Sequence, residues 1–388
     1  MQINLLNKAD WSEEPESTYS FLTDIVQSHD GVEQRVALRN NPRKTFTHQY
    51  TLEALEASEF KHKLRSWFDT IYLVPDFTEV PVFREGEGAE DYIIPMLPDS
   101  NAFEGNDKVL IESKLYDLHR LSGQSSTTID ISPALNNSLQ AGTPVYRVNK
   151  CAVVTEPSFL QLSSSVLQVS IKFEVLPDWF IPRERDKENP AVTAYGIPVL
   201  TLRPNRARDL TASYKAALEQ FDPGPGLYRR ERIQDYTLTS YTWDFYNLSQ
   251  ITEFKRLMYA CQGSCGQFFA ESENDDIYIA ADLDGVSTEL FAIKAFLTEA
   301  GAVGRYIAIT LIDGSKHYRK VTNCISDETT ETLTLDTSPP EATKDQIARI
   351  SWLDCCRFLS DEFKFKHHTD EAAQITKNLK TTKKIDDL

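Results

Sequence analysis

Two hydrophobic patterns follow one another along the chain, and the pair occurs twice. In "KTFTHQYTL" (residues 44–52), aromatic and aliphatic residues alternate with polar ones. A period of two with many threonines and aromatics is typical of a strand with one buried face. "YTLTSYTWDFY" (residues 236–246) repeats this pattern in the second half. Apolar residues at helical spacing follow each run, so we predict a strand and then a helix in each half.

Each predicted helix carries one apolar stripe, which we expect to be buried. The first helix is predicted near residues 50–74, with the stripe Phe60, Leu64, Trp67 and Phe68. The second is predicted near residues 244–262, with the stripe Phe254, Leu257, Met258 and Cys261. Ser58 and Thr252 are the predicted N-caps, because a hydroxyl can accept a hydrogen bond from the first turn.

Short strand-like runs fill most of the remaining sequence. Examples are "TPVYRV" and "LQVSIKFEVL" in the first half, and "RYIAITLI" and "DEFKFKHH" in the second. Runs of this length, separated by Gly, Pro, Asn and Asp, indicate a β-sandwich or barrel. The predicted fold is therefore mainly β, with one packed helix in each half.

Several short motifs recur in the same order. "TIDISP" (Thr128–Pro133) and "TLDTSP" (Thr334–Pro339) share four of six residues. "VYRVNKC" ends at Cys151 and "RISWLDC" at Cys355, shortly after these motifs. "EFK" occurs at residues 59–61 and 253–255, and further upstream Tyr19, Asp30, Gly31 and Arg35 face Tyr214, Asp222, Gly224 and Arg229. The conserved order predicts an ancient tandem duplication.

The duplication divides the chain into three parts. We assign residues 1–190 to the first repeat, 191–225 to a crossover linker and 226–388 to the second repeat. The segment of residues 176–205, with many prolines and mixed charge, indicates where the crossover lies.

Composition excludes some classes of partner. The net charge is −17 over 388 residues, and an acidic surface repels phosphate, so we expect no specific nucleic-acid binding. No run of 18 apolar residues predicts a membrane span, and the N-terminus lacks the pattern of a secretory signal, so we expect no membrane partner.

Four of the six cysteines form the only candidate metal site. Cys261 and Cys265 in "CQGSCG", together with Cys355 and Cys356, could ligate an iron–sulfur cluster. However, Cys261 lies on a predicted apolar stripe, and adjacent residues of a strand point to opposite faces. We therefore expect reduced, packed cysteines, no metal and no cofactor.

The sequence contains no GxxxxGK[ST], GxSxG or HExxH motif. We therefore expect no catalytic residues and no enzyme. A cell-wall hydrolase would need paired carboxylates in a cleft, which nothing in the sequence singles out. A carbohydrate-binding module would be favoured by exposure of Trp11, Trp179 or Trp243.

Two longer segments resemble one family. "FLTDIVQSHDGVEQRVALRNNPRKTFTHQY" (residues 21–50) and "FKRLMYACQGSCGQFFAESENDDIYIAADL" (residues 254–283) resemble minor tail or distal tail proteins of bacteriophages with long flexible tails. The resemblance departs at "CQGSCG", where the family more often shows Arg-rich helix ends. It implies a structural virion protein, made in the host cytoplasm and located in the virion tail, between the tail tube and the hub or fibres.

The resemblance also implies a ring of three-fold or six-fold symmetry. Two similar domains in one chain suggest a trimer whose six domains give pseudo-sixfold symmetry, with a hexamer as the alternative. The expected partners are other copies of the chain, the tail tube protein, and the hub or fibre proteins.

Overall fold

The mainly β fold is confirmed by a computed structural model. The structure describes residues 2–11, 13–28, 32–78, 82–83, 93–97, 108–111, 114–119, 128–132, 142–177, 184–207, 210–222, 224, 227–369 and 371–382.

Strands and helices are numbered in chain order. The strands before residue 176 are β1 Gln2–Asn4, β2 Glu16–Ser20, β3 Thr23–Gln27, β4 Glu33–Ala37, β5 Arg43–Glu53, β6 Ile71–Pro75, β7 Val82–Phe83, β8 Ile93–Leu97, β9 Lys108–Ile111, β10 Lys114–His119, β11 Thr128–Ser132, β12 Tyr146–Val153, β13 Ser158–Gln161 and β14 Val166–Val175. The later strands are β15 Thr193–Ala194, β16 Ile197–Pro198, β17 Thr211–Phe221, β18 Arg229–Phe245, β19 Phe268–Glu271, β20 Leu283–Asp284, β21 Glu289–Ile293, β22 Tyr306–Leu311, β23 Lys316–Ser326, β24 Thr330–Leu335, β25 Glu341–Ala342, β26 Ile347–Phe358, β27 Glu362–His367 and β28 Ala373–Thr381. The helices are α1 Ala54–Leu64, α2 Glu184–Lys187 and α3 Leu248–Ala260, with 3₁₀ turns at Trp67–Asp69 and Lys344–Gln346.

One antiparallel sheet runs through the whole molecule, and we call it the spanning sheet. Its strand order is β13-β14-β5-β2-β27-β28-β18-β17. The first four strands come from the first half of the chain and the last four from the second. The halves therefore share a single sheet.

The strands outside the spanning sheet pair in the same order in both halves. In the first half β12 pairs with β6 and β9, β9 with β10, β10 with β11, and β11 with β8. In the second half β26 pairs with β19 and β22, β22 with β23, β23 with β24, and β24 with β21. β11, which contains "TIDIS", and β24, which ends at the second residue of "TLDTSP", thus take the same place. This order is what a duplication predicts, and the duplication itself stays a prediction.

Strand pairing shifts the sequence alignment by one residue. Cys151 in β12 is paired with the second residue of β6 and the last residue of β14. Cys356 in β26 is paired with the first residue of β19 and the last residue of β28. Cys356, and not Cys355, is therefore the equivalent of Cys151.

Each long helix covers one core, as the stripes predicted. Phe60 and Leu64 of α1 are buried among first-half strands, and all four stripe residues of α3 are buried in the second-half core. The prediction for Phe68 was wrong, because that residue is 71% exposed. The helix ends at Leu64 and the chain continues into a 3₁₀ turn, where the helical spacing no longer applies and Trp67 is only half-buried.

The predicted N-caps were also wrong. Ser58 and Thr252 lie inside the helices, which begin one turn earlier, after Glu53 and Asn247. The Asn247 side chain accepts a hydrogen bond of 2.9 Å from the Gln250 N–H. Each helix begins directly after or shortly after the end of a strand. The hydroxyl residues Ser58 and Thr252, which can cap a helix, had suggested that the helices begin later.

Strand pairing crosses the predicted domain boundaries at two places, and the boundaries themselves stay predictions. β17 falls inside the predicted linker of residues 191–225, yet it pairs along its length with β18 as part of the spanning sheet. β2 belongs to the predicted first repeat, yet it pairs with β27 of the second. Tyr19 and Phe21, in and after β2, are buried in the second-half core.

Candidate assembly interface

The two halves meet where β2 pairs with β27, and we call this contact the β2–β27 junction. The Tyr19 ring makes an edge contact with Phe365, with ring centroids 5.9 Å apart, and its hydroxyl accepts a hydrogen bond of 2.9 Å from Lys255 Nζ. At the edge, the Glu16 carboxylate lies 2.6 Å from Lys364 Nζ. Tyr19 is 4% exposed and Phe365 fully buried. The junction therefore combines strand hydrogen bonds with a buried aromatic contact.

A serine and a histidine lie together in this junction. Ser17 Oγ is 2.8 Å from His367 Nε2, and both residues are fully buried. A nucleophilic serine must reach a substrate, so this buried pair has the chemistry of a structural hydrogen bond. Nearby, Lys44 forms a buried ion pair with Asp76. Polar contacts across the junction fix its register.

The outer strands of the spanning sheet leave one edge each without a partner strand in the described part of the chain. β13 pairs with β14 and β17 pairs with β18. All four residues of β13 are exposed, including Phe159 at 38% and Leu160 at 58%. Tyr214 in β17 is 90% exposed. An edge strand with exposed apolar residues is a site at which another strand can add.

Part of the β17–β18 hairpin continues past the sheet as a two-stranded arm. β18 pairs with β28 from Leu238 to Phe245, whereas residues 229–237 pair with β17. The arm ends in exposed apolar residues, Phe221 at 67% and Leu227 at 95%. An isolated two-stranded ribbon is marginally stable in water, so an apolar tip of this kind suits a protein contact.

The β3–β4 hairpin occupies the corresponding place in the first half, but it is fastened to the second half. The Glu33 carboxylate in β4 accepts hydrogen bonds from Arg357 Nε at 2.7 Å, Arg357 Nη2 at 3.0 Å and Lys380 Nζ at 2.6 Å. Arg35 Nε lies 4.0 Å away. All four side chains are 5–7% exposed. One carboxylate thus serves three buried cations.

The electrostatics of Glu33 follow from this cluster. Burial alone would raise the pKa of Glu33, but the hydrogen bonds from Arg357 and Lys380 outweigh it and lower the pKa to about 2. Glu33 is therefore ionised at neutral pH, and its carboxylate connects the hairpin to β26 and β28.

The four candidate cluster ligands do not form a ligand set. Cys261 and Cys356 are buried in the core beneath α3, whereas Cys355 faces a separate core with Phe269. Adjacent Cys355 and Cys356 thus point to opposite faces of β26, as the sequence predicted. Cys265 is half-buried. Within the described residues, no three His, Cys, Asp or Glu side chains are placed to hold a metal ion.

Burial also determines the thiol chemistry. It raises the pKa of Cys261 and of Cys356, so both are protonated thiols at neutral pH. A metal ligand must be a thiolate, and neither residue is prepared for that role.

The "CQGSCG" loop has a structural explanation. Asp361 accepts hydrogen bonds from the Thr23 N–H at 2.6 Å, and from the Ser264 N–H at 2.8 Å and Oγ at 2.6 Å. Gly263 has φ +77°, and a Cβ there would lie 2.6 Å from Asp361 Oδ1 and 2.7 Å from the Phe21 Cβ. The loop therefore fastens the end of α3 to the N-terminal strands. It requires glycine at position 263, because φ is positive there and the side chains of Asp361 and Phe21 leave no room for a Cβ.

Of the tryptophans named for sugar binding, the two in the described residues are not displayed. Trp243 is 1% exposed, and its indole N–H donates a hydrogen bond of 3.1 Å to the Leu202 carbonyl. Trp11 is half-buried against the first-half core, and Trp179 lies outside the described residues.

Glu271 and Glu273 are a pair of buried carboxylates, which a hydrolase would also have. Glu271 lies 2.7 Å from Arg349 Nη2 and is bonded to Lys316 at 2.5 Å, and Glu273 lies 2.7 Å from Arg349 Nη1. Cations on both sides make this a structural ion-pair cluster.

Comparison of the chain with protein-family models and with curated proteins finds no match. Of the helices in the described ranges, none has the length and apolar composition needed to cross a membrane.

Proposed function

We propose that this chain is a structural protein at the distal end of a bacteriophage tail, where it forms a ring that connects the tail tube to the tip hub or fibres. The observation that carries the proposal is the order of the spanning sheet. The unit β13-β14-β5-β2 is followed by β27-β28-β18-β17, which has the same internal pairing. Within the described residues, neither outer strand has a partner on its outer edge.

A sheet of two like units with two different open edges can grow head to tail, with one edge of each copy against the other edge of the next. Head-to-tail contacts generate closed rings when their rotation closes. Three copies would contribute three times eight, or 24, strands to one sheet. With ordinary strand spacing and tilt, the backbone radius would be about 24 Å, which leaves an open lumen. Such a ring suits a channel through which DNA passes.

Charge supports the same role. A net charge of −17 disfavours retention of a polyanion, so the wall of such a channel would not hold DNA. The exposed apolar tip of the β17–β18 arm offers a contact for a tail tube protein on one side or a hub or fibre protein on the other.

Within this proposal, the chain forms a trimer with pseudo-sixfold symmetry. Two like units in each chain present six similar surfaces to a six-fold tube, while the chains keep three-fold symmetry toward the tip. The protein acts by assembly and catalyses no reaction.

Mass measurement and imaging test the proposal. We expect native mass spectrometry of the purified chain to show a trimer, and electron microscopy to show rings with six lobes. Antibodies against the chain should label one end of purified phage tails. Absence of the chain from purified virions would refute the tail assignment. Six chains in one ring, with their halves at different heights, would refute the trimer alone.

A further inference from the structure

We infer that the ring, if the proposed function holds, closes by addition of β17 of one copy to β13 of the next, in the geometry of the β2–β27 junction. The occupant of both open edges is thus a second copy of the chain.

Cross-strand partners give the equivalence between the halves. The starting points are Cys151 and Cys356, which take equivalent places because each is paired with the last residue of a strand in the spanning sheet, β14 or β28. Following paired residues outward from them, strand by strand, Tyr19 in β2 corresponds to Tyr214 in β17. The same procedure matches Phe365 in β27 to Phe159 in β13. The two strands that meet inside the chain are therefore equivalent to the two strands at its open edges.

These equivalent aromatic residues differ in burial. Tyr19 and Phe365 are 4% and 0% exposed, because each covers the other in the β2–β27 junction. Tyr214 and Phe159, of the same residue types, are 90% and 38% exposed. Joining the edges of two copies would cover both, as the internal junction covers its pair. Burial of aromatic surface is a main source of free energy in such contacts.

The internal register predicts the register between copies. In the β2–β27 junction, Thr18 lies opposite Lys364 and Ser20 opposite Glu362. The equivalent pairs place Ser213 opposite Ser158 and Lys215 opposite Glu156. Opposite charges face each other in the second pair, which stabilises an antiparallel contact. All four residues are exposed in the single chain.

Pro157 fits an edge that is open in the free chain. In the predicted register it lies opposite Tyr214, where it contributes no N–H and removes one ladder hydrogen bond. Proline at a sheet edge discourages unspecific strand addition, so it favours the one partner whose side chains match.

A disulfide between copies tests the register. Pro15 and His367 form a hydrogen-bonded pair, because the His367 N–H donates to the Pro15 carbonyl at 2.9 Å. Hydrogen-bonded and non-hydrogen-bonded pairs alternate along an antiparallel ladder, so Thr18 and Lys364, three positions further along, form a non-hydrogen-bonded pair. In such a pair the Cα atoms lie about 4.5 Å apart, within reach of a disulfide. We expect mild oxidation of the double variant Ser158→Cys/Ser213→Cys to convert most of the protein into disulfide-linked oligomers. The largest of these should contain as many chains as the ring. Reduction should return the monomer band.

Matched controls separate the predicted junction from chance contacts. Ala212→Cys with Ser158→Cys should link far less, because the two Cβ atoms would point to opposite faces. The wild-type chain under the same oxidation shows how much linking comes from the native Cys265. An equal mixture of the single variants Ser158→Cys and Ser213→Cys should give linked dimers only. Linking of Ser213→Cys to itself would show a two-fold contact and overturn the inference.

Charge reversal gives a second, independent measurement. Lys215→Glu should reduce the ring fraction in native mass spectrometry, and added Glu156→Lys should restore it. Rings that neither cross-link nor respond to charge reversal would refute this junction and leave the tail proposal standing. Absence of rings and of cross-links at every concentration would refute both.

Discussion

Glu33→Gln should cost about 3 kcal/mol of folding free energy at neutral pH. The folded protein lowers the pKa of Glu33 from 4.5 to about 2, and each pKa unit corresponds to about 1.4 kcal/mol. Removal of the carboxylate also leaves Arg35, Arg357 and Lys380 as buried cations without their shared partner, a change that typically costs 3–5 kcal/mol. Both routes give a value well above that of a surface ion pair.

The effect should depend on pH in one direction. The pKa of Glu33 is lower in the folded state, so its contribution is fully present above pH 4.5 and is lost as the pH falls toward 2. The difference between wild type and variant should therefore be largest at pH 7 and should shrink below pH 4.5. Urea denaturation at several pH values measures it, and hydrogen exchange at the amides of β3 and β4 shows whether the hairpin is released.

Glu174→Gln is the matched control. Glu174 forms an exposed ion pair of 3.7 Å with Arg43, and such pairs contribute about 1 kcal/mol or less. Equal losses for Glu33→Gln and Glu174→Gln, or a Glu33→Gln loss that stays constant from pH 7 to pH 3, would show that the buried cluster does not hold the hairpin.

Three further outcomes follow from packing. Phe254→Ala should lower the free energy of unfolding by about 3–5 kcal/mol because Phe254 is fully buried, and Phe68→Ala by less than about 1 kcal/mol; equal losses in urea denaturation would contradict the packing. Gly263→Ala should lower the melting temperature more than Gly301→Ala, since both have positive φ but only Gly263 lacks space for a Cβ. Native alkylation followed by mass spectrometry should label at most Cys265, and elemental analysis should find no iron; about four iron atoms per chain would show a cluster instead.

The sequence alone predicted the local elements well. Periodicity gave the mainly β class and both long helices, because one buried face imposes a repeating pattern on the residues themselves. It gave the buried stripe of α3 and the opposed directions of Cys355 and Cys356 for the same reason. Helix ends were less accurate, as Phe68 shows, because the pattern continues through a turn that only the folded chain reveals.

The tertiary structure decided how these elements are joined. Strand pairing is set by contacts between residues far apart in sequence, so no local pattern showed that β2 would cross to the second half or that Glu33 would meet Arg357. Tyr19 and Tyr214 correspond in both the sequence and the strand pairing, yet one is buried and the other exposed. The difference comes from the neighbouring strand. β27 covers Tyr19 within the chain, whereas no strand of the described residues lies on the outer side of β17 to cover Tyr214.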